Sequence, residues 1–191
     1  MMREDDRTLL PPPRRITLIG YRGTGKTTLA RLLGQRLGLP VFDSDPLIER
    51  RAGKSIAAIF AEDGEAHFRD LEATIIAELL DGGPMILSPG GGAVLRASTR
   101  NRMREGSTVV WLTASPEVID RRINGDATSA ARRPSLTTFS PIEEIRAVLE
   151  ARIPLYRATA HHAVDTDGRT PEEIAVRLVD LFNDRFPSQS S

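Results

Sequence analysis

The sequence predicts an α/β chain: a three-layer α/β/α sandwich built on a five-stranded parallel sheet. Two observations carry that expectation. Short apolar, β-rich runs alternate with longer stretches of helical period. Strands separated by helices return through right-handed crossovers to a parallel sheet covered on both faces. Three of the strands also end in glycine-rich or acidic loops, at 20–27, 43–45 and 88–92. Ligands of such sheets bind beyond the carboxyl ends of the strands, so those loops mark the expected site.

Taken in order, residues 16–19 (ITLI) form a short buried strand that runs into a glycine loop. Residues 27–37 place Leu29, Leu32, Leu33 and Leu37 on one helical face, and Gly38 ends that helix. A second strand at 40–42 stops at "DSD". Residues 46–80 hold several helical segments, broken near Gly53 and Gly64. A third strand at 85–87 ends in "SPGGG", a fourth occupies 108–112 and a last short one 163–164. Helical pattern fills 141–152, where Pro154 must stop or bend the helix, and 171–182.

With 191 residues, 40% of them hydrophobic, the chain is long enough to bury one core. The expected organisation is a disordered arm at 1–15, one domain at 16–183 and a flexible tail at 184–191. Lys plus Arg and Asp plus Glu each number 26, so no global basic field exists to hold a nucleic acid or an anionic membrane. Cysteine is absent, which removes disulfides and thiolate metal sites and fits a reducing compartment. No apolar run approaches the roughly 20 residues that span a bilayer. The N-terminal stretch also lacks the apolar centre of a signal peptide. The expectation is a monomeric cytoplasmic protein with small-molecule partners.

Gly20-x4-Gly25-Lys26-Thr27 has the spacing G-x-x-x-x-G-K-[ST], with a strand before it and a helix after it. Gly20, Gly23 and Gly25 let backbone N–H groups turn toward one centre, with Thr24 and Thr28 beside them. The result is an anion nest at the positive end of the next helix. Lys26 then reaches the β- and γ-phosphates, and the Thr27 hydroxyl ligates Mg²⁺. The plain alternative is a glycine turn with an exposed lysine, which the two correct flanks disfavour. The expected ligand is ATP or GTP.

The other loops each have two readings. Asp43 and Asp45 alternate at a strand end, so one carboxylate can serve Mg²⁺ through water while the other faces a hydroxyl being phosphorylated. "DSDP" equally suits a helix cap. Arg69 and Glu72 are three apart, so the carboxylate either fixes a guanidinium or makes a superficial ion pair of little energy. "SPGGG" offers backbone N–H groups with no side chain in the way, or is simply flexible. Residues 124–135 are small and polar and carry Arg132 and Arg133, the composition of a lid that brings an arginine over phosphates.

In this order, "GYRGTGKTT", "FDSDPLIERRAGKSIAAIF", "GEAHFRDLE", "LSPGGGAV", "RRPSL" and "RIPLYR" resemble shikimate kinase over about 16–182. The resemblance implies a P-loop NTPase fold with a helical substrate-binding region near 44–72 and a mobile lid near 123–136. It implies ATP-dependent, Mg²⁺-assisted phosphorylation of the shikimate 3-hydroxyl. Arg69 and Arg152 would match the substrate carboxylate, since a guanidinium offers paired donors to a planar anion. By the same resemblance Asp45 binds the reacting hydroxyl, Gly91 and Gly92 donate N–H groups, and Phe60 and Phe68 wall the ring. Asp43, Thr27 and Ser88 fall on the metal side. Lys26 and Arg133 offset charge on the transferring group. Arg122 and Arg169 flank the adenine. Aspartates are weak bases at neutral pH, so Asp45 is assigned to positioning first and to proton acceptance second.

The lid departs from the family's pattern: Arg133-Pro134 is followed by Ser135-Leu136 rather than by two leucines. Outside the motifs, His67 reads as a helix-surface residue and Trp111 as core. His161 and His162, being adjacent near a strand, face opposite ways and do not share a metal. The rival readings are a kinase acting on another small acid such as gluconate, and a nucleotide switch without catalysis. A switch needs no carboxylate clamp.

Overall fold

The computed structural model describes residues 15–125 and 140–185. In chain order the elements are β1 (Arg15–Ile19), α1 (Lys26–Leu37), β2 (Val41–Asp43), α2 (Ser44–Ala52), α3 (Ile56–Glu62), α4 (Gly64–Leu80) and β3 (Met85–Ser88). A 3₁₀ turn (Ala93–Leu95) leads to α5 (Ala97–Gly106), β4 (Thr108–Thr113), α6 (Pro116–Asn124), α7 (Pro141–Thr159), β5 (His162–Asp165) and α8 (Pro171–Arg185). The five strands lie in the order β2-β3-β1-β4-β5, and every neighbouring pair is parallel. Among the described residues no helix is long and apolar enough to cross a membrane.

Alternation along each strand feeds two cores. Ile16, Leu18, Ile86, Val110 and Leu112 point to one face, where α1 contributes Leu29 and Leu33 and α8 contributes Ile174, Leu178 and Phe182. Met85, Leu87 and Val109 point to the other, against Ile76 and Leu80 of α4, Met103 of α5 and Tyr156 of α7. A third cluster, Ile48, Ile56, Ile59, Phe68 and Ile75, packs α2, α3 and α4 together away from the sheet. Those three helices form the layer between "DSD" and "SPGGG".

The order of strands positions the site. With β1 central, the loop after it lies beside the end of β3, and register pairs Asp43 with Ser88 across β2 and β3. The acidic, glycine-rich and phosphate-type loops therefore leave the same edge side by side.

One helix decides between alternatives its sequence left open. Pro154 does not stop α7, which runs from Pro141 to Thr159 with Pro154 inside it. The physical reason is packing beyond the proline. Tyr156 and Thr159 are almost wholly buried, at 0% and 1% exposure, while Pro154 is exposed. Burial of that last turn outweighs the one hydrogen bond a proline removes. Pro154→Ala restores that N–H and should raise stability by about 1–3 kcal/mol. Urea unfolding with an unchanged m-value would read the gain; a lower midpoint would show that the ring supports the helix.

Candidate active site

The phosphate-type loop is built by close approach. Gly20 has φ +147°, and a Cβ there would sit 2.6 Å from Leu112 O, so only glycine lets β1 turn into the loop beside β4. Thr24 Oγ1 donates to Tyr21 O at 2.8 Å. Lys26 Nζ donates to Gly20 O at 2.9 Å and to Tyr21 O at 3.0 Å, which holds the ammonium against the loop. Helix α1 has no acidic residue in its first turn, so its positive end is left for an anion.

A cavity of about 500 Å³ opens over this loop. Gly23, Thr24, Gly25, Lys26, Thr27 and Thr28 line it, together with Arg122 and Arg169 and with Asp43, Asp45, Ser88, Gly90 and Gly91. Arg122 Nη1 donates to Thr166 Oγ1 at 2.9 Å and to Gly23 O at 3.3 Å, and Nη2 donates to Thr166 O at 2.9 Å. Its neighbour Arg121 is exposed and lies outside the lining. Arg169 Nη1 donates to Asp165 O at 3.3 Å.

The capping reading of "DSD" holds for Asp43, and its place on the cavity leaves the other reading open to it. Its Oδ1 accepts the Asp45 N–H at 3.0 Å, capping α2, and the same residue lines the cavity. Between the two aspartates Ser44 is fully buried, and its Oγ accepts the Gly90 N–H at 3.2 Å. The serine thus ties the acidic loop to the glycine loop.

The two arginines of the sequence reading both meet that glycine loop, Arg69 from α4 and Arg152 from α7. Arg69 Nη1 donates to Glu72 Oε2 at 2.6 Å, and Glu72 is 2% exposed, so the pair is buried rather than superficial. Glu65 Oε1 accepts from Nε at 3.3 Å and from Nη2 at 3.1 Å, and the Phe68 ring centroid lies 4.9 Å from the guanidinium carbon. A Cβ on Gly92 would fall 2.3 Å from Arg69 Nη2 and 2.7 Å from its Cζ, so the guanidinium stacks where only glycine fits. Arg152 Nη1 donates to Gly91 O at 3.3 Å.

Phe68 is fully buried in the third cluster, and Phe60, half-buried, rests on it with centroids 4.7 Å apart. Phe60, Phe68, Arg69, Gly92 and Arg152 stand outside the cavity lining, and Arg152 reaches it through Gly91. Arg132 and Arg133 and most of the expected lid lie outside the described residues. Of the histidines, His67 is exposed, and His161 Nδ1 accepts the Val109 N–H at 3.0 Å, extending the β4–β5 ladder. Trp111 is half-buried and stacks on Tyr156 with centroids 5.8 Å apart.

Three contributors escaped the sequence reading: Ser44, Thr166 and Tyr156. Tyr156 Oη donates to Gly91 O at 2.6 Å, and burial pushes its phenol up to about 12. Its signal was present, since it lies four residues after Arg152 and so on the same helical face. Ser44 and Thr166 act through loop contacts that no spacing rule marks.

Comparison with known proteins follows this geometry. A family profile described as "Shikimate kinase" matches residues 22–183. The shikimate kinase of Rhodopirellula baltica is 46% identical over 167 residues, 87% of this chain and 89% of that protein. The shikimate kinase of Paracidovorax citrulli is 47% identical over 158 residues, 82% of this chain and 84% of that protein. The solved structure of shikimate kinase from Acinetobacter baumannii in complex with shikimate superposes with a TM-score of 0.84. It is 32% identical and covers 95% of this chain and 99% of that one.

The two carboxylates on Arg69 give a direct contrast. Glu72→Ala leaves a buried guanidinium short of its partner and should cost about 3–5 kcal/mol of stability. Glu65→Ala removes a carboxylate that is 59% exposed and should cost less than about 1 kcal/mol. Equal losses in chemical unfolding would contradict the division of labour drawn from burial.

Proposed function

The chain belongs to the shikimate kinase family, and from that premise we propose how its residues divide the work of phosphorylating shikimate with ATP. The reaction is the shikimate-pathway step that yields shikimate 3-phosphate on the way to chorismate and the aromatic amino acids. One observation carries the residue assignment: two guanidinium groups converge on a side-chain-free loop, Arg69 against Gly92 and Arg152 on Gly91, beside the phosphate-loop cavity. A planar carboxylate suits the arginine end, and a phosphate chain suits the loop.

In this reading ATP lies along the cavity with its phosphates on residues 20–28 and its base between Arg122 and Arg169. The shikimate carboxylate takes Arg69, Arg152 and the N–H groups of Gly91 and Gly92, while Phe60 and Phe68 wall the ring. The 3-hydroxyl then faces Asp45. Its oxygen forms the new bond to the γ-phosphorus as the bond to the β–γ bridging oxygen breaks and ADP leaves. Asp45 orients the hydroxyl and accepts its proton, a role in which alignment outweighs base strength when the transition state is loose. Lys26 offsets charge on the transferring and leaving phosphates, and Arg133 of the lid adds to it.

Thr27, Asp43 and Ser88 fit a magnesium ion. They are hard oxygen donors lining the same cavity as the phosphate-type loop, with Asp43 and Ser88 paired across β2 and β3. When bound, Mg²⁺ neutralises charge on the β- and γ-phosphates. The support for one domain at 16–183 is the family match across 22–183. A balanced net charge supports two small substrates rather than a nucleic-acid or membrane partner; we propose a monomeric, cytoplasmic enzyme.

The tests follow from these roles. With ATP and Mg²⁺ in a coupled assay, ADP release should depend on shikimate and not on gluconate; equal rates with both acids would remove the acceptor assignment. Asp45→Asn should lower kcat by about 100-fold or more while calorimetric ATP binding persists. Arg152→Ala should raise the shikimate KM by roughly 10- to 100-fold, with the ATP KM nearly constant. An unmoved shikimate KM would dissolve the clamp.

A further inference from the structure

The carbonyl of Gly91 is the acceptor for two side chains of α7. Tyr156 Oη donates to it at 2.6 Å and Arg152 Nη1 at 3.3 Å. The two donors are four residues apart and share a helical face only because α7 continues through Pro154. Tyr156 is itself immobilised, with 0% exposure and its ring stacked on Trp111 at 5.8 Å and 19°. On its far side Gly91 meets the phosphate loop, where a Cβ would lie 3.1 Å from Gly20 O. The glycine loop is therefore clamped between a fixed phenol and a fixed turn.

A trans peptide is planar, so the Gly91 carbonyl and the Gly92 N–H point in opposite directions as one rigid unit. Whatever holds the oxygen aims the N–H. We propose that Tyr156 is a positioning residue for the acceptor: by holding the Gly91 oxygen it aims the Gly92 N–H and fixes it relative to the Arg152 guanidinium. This rests on the reading above, in which Gly92 and Arg152 bind the shikimate carboxylate. Without the hydroxyl the loop keeps its chain path, but the peptide can rock and its N–H is no longer held in one direction before substrate arrives. Ordering then falls to the bound state and weakens it.

Tyr156→Phe keeps the ring on Trp111 and removes one oxygen. Its shikimate KM and calorimetric shikimate Kd should rise roughly fivefold to tenfold, while the ATP Kd stays within about twofold. Incorporation of 4-aminophenylalanine at 156, which returns a donor to the same ring position, should bring the shikimate KM most of the way back. The double variant with Arg152→Ala should raise KM by less than the product of the single effects, because both donors serve one oxygen. An unchanged shikimate KM in Tyr156→Phe, or ATP and shikimate affinities weakened alike, would overturn the proposal and leave the phenol a stability contact. So would a 4-aminophenylalanine variant no better than the phenylalanine one. If Arg152→Ala leaves the shikimate KM untouched, the clamp reading itself fails; if it raises KM while Tyr156→Phe does not, only the role of Tyr156 is lost.

Discussion

The approach of the loop 90–92 to its neighbours constrains the rest of the acceptor side. Gly90 is held by the buried Ser44 hydroxyl, Gly91 lies against the turn at Gly20, and Gly92 carries the Arg69 guanidinium on its bare Cα. No residue with a side chain fits at Gly92 without displacing that guanidinium. The loop can sit there only because β3 lies between β2 and β1 in the sheet. Strand order places the acidic and phosphate-type loops on either side of it. Topology thus brings three loops together, and three glycines let them touch.

That geometry demands charge, and the structure meets the cost of burying it locally. Arg69 is only 11% exposed on its side chain, a position at which an unpaired guanidinium is expensive. Glu72, 2% exposed, answers it from the same helix one turn later. The α2–α3–α4 cluster around Phe68 shares partly buried Leu79 with one of the sheet cores and holds the helix that carries this pair. The small satellite core is therefore a platform for one guanidinium. The chain's zero net charge fits this arrangement, since each buried arginine brings a protein acceptor with it rather than relying on an overall field.

The sheet was legible because buried parallel strands read as short apolar runs and helices as leucine-rich periodic ones. All five strands lie within a residue of the ends expected from pattern alone. The phosphate loop was legible because its glycine and lysine spacing carries its own mechanism. What sequence could not order was burial. Arg69 with Glu72 looked the same on paper whether superficial or interior, and only the packing of α4 beneath Gly92 decides it. Pro154 was left open as a stop or a bend for the same reason: local propensity is visible in a sequence, while the burial of Tyr156 that excludes the stop is a tertiary fact. Ser44 stayed hidden because it acts on a backbone N–H, and a backbone partner leaves no mark in the residue string; Tyr156 had its mark in the spacing from Arg152, but not the carbonyl it holds.

The arginines of the site share one further property. Arg69 is held by Glu72 and Glu65, Arg122 by Thr166 and Gly23 O, and Arg152 by Gly91 O. Each long side chain has therefore already given up much of its rotamer freedom to protein partners, a loss of up to about 2 kcal/mol per side chain that a ligand need not bear. A flexible lysine at these positions would offer the same charge but would have to be ordered at each binding event. Arginine makes the difference because its five donors allow one edge to be spent on the scaffold while another faces the ligand. In the proposed reading, charge supplies attraction for the two anionic substrates, and donors anchored in advance supply orientation.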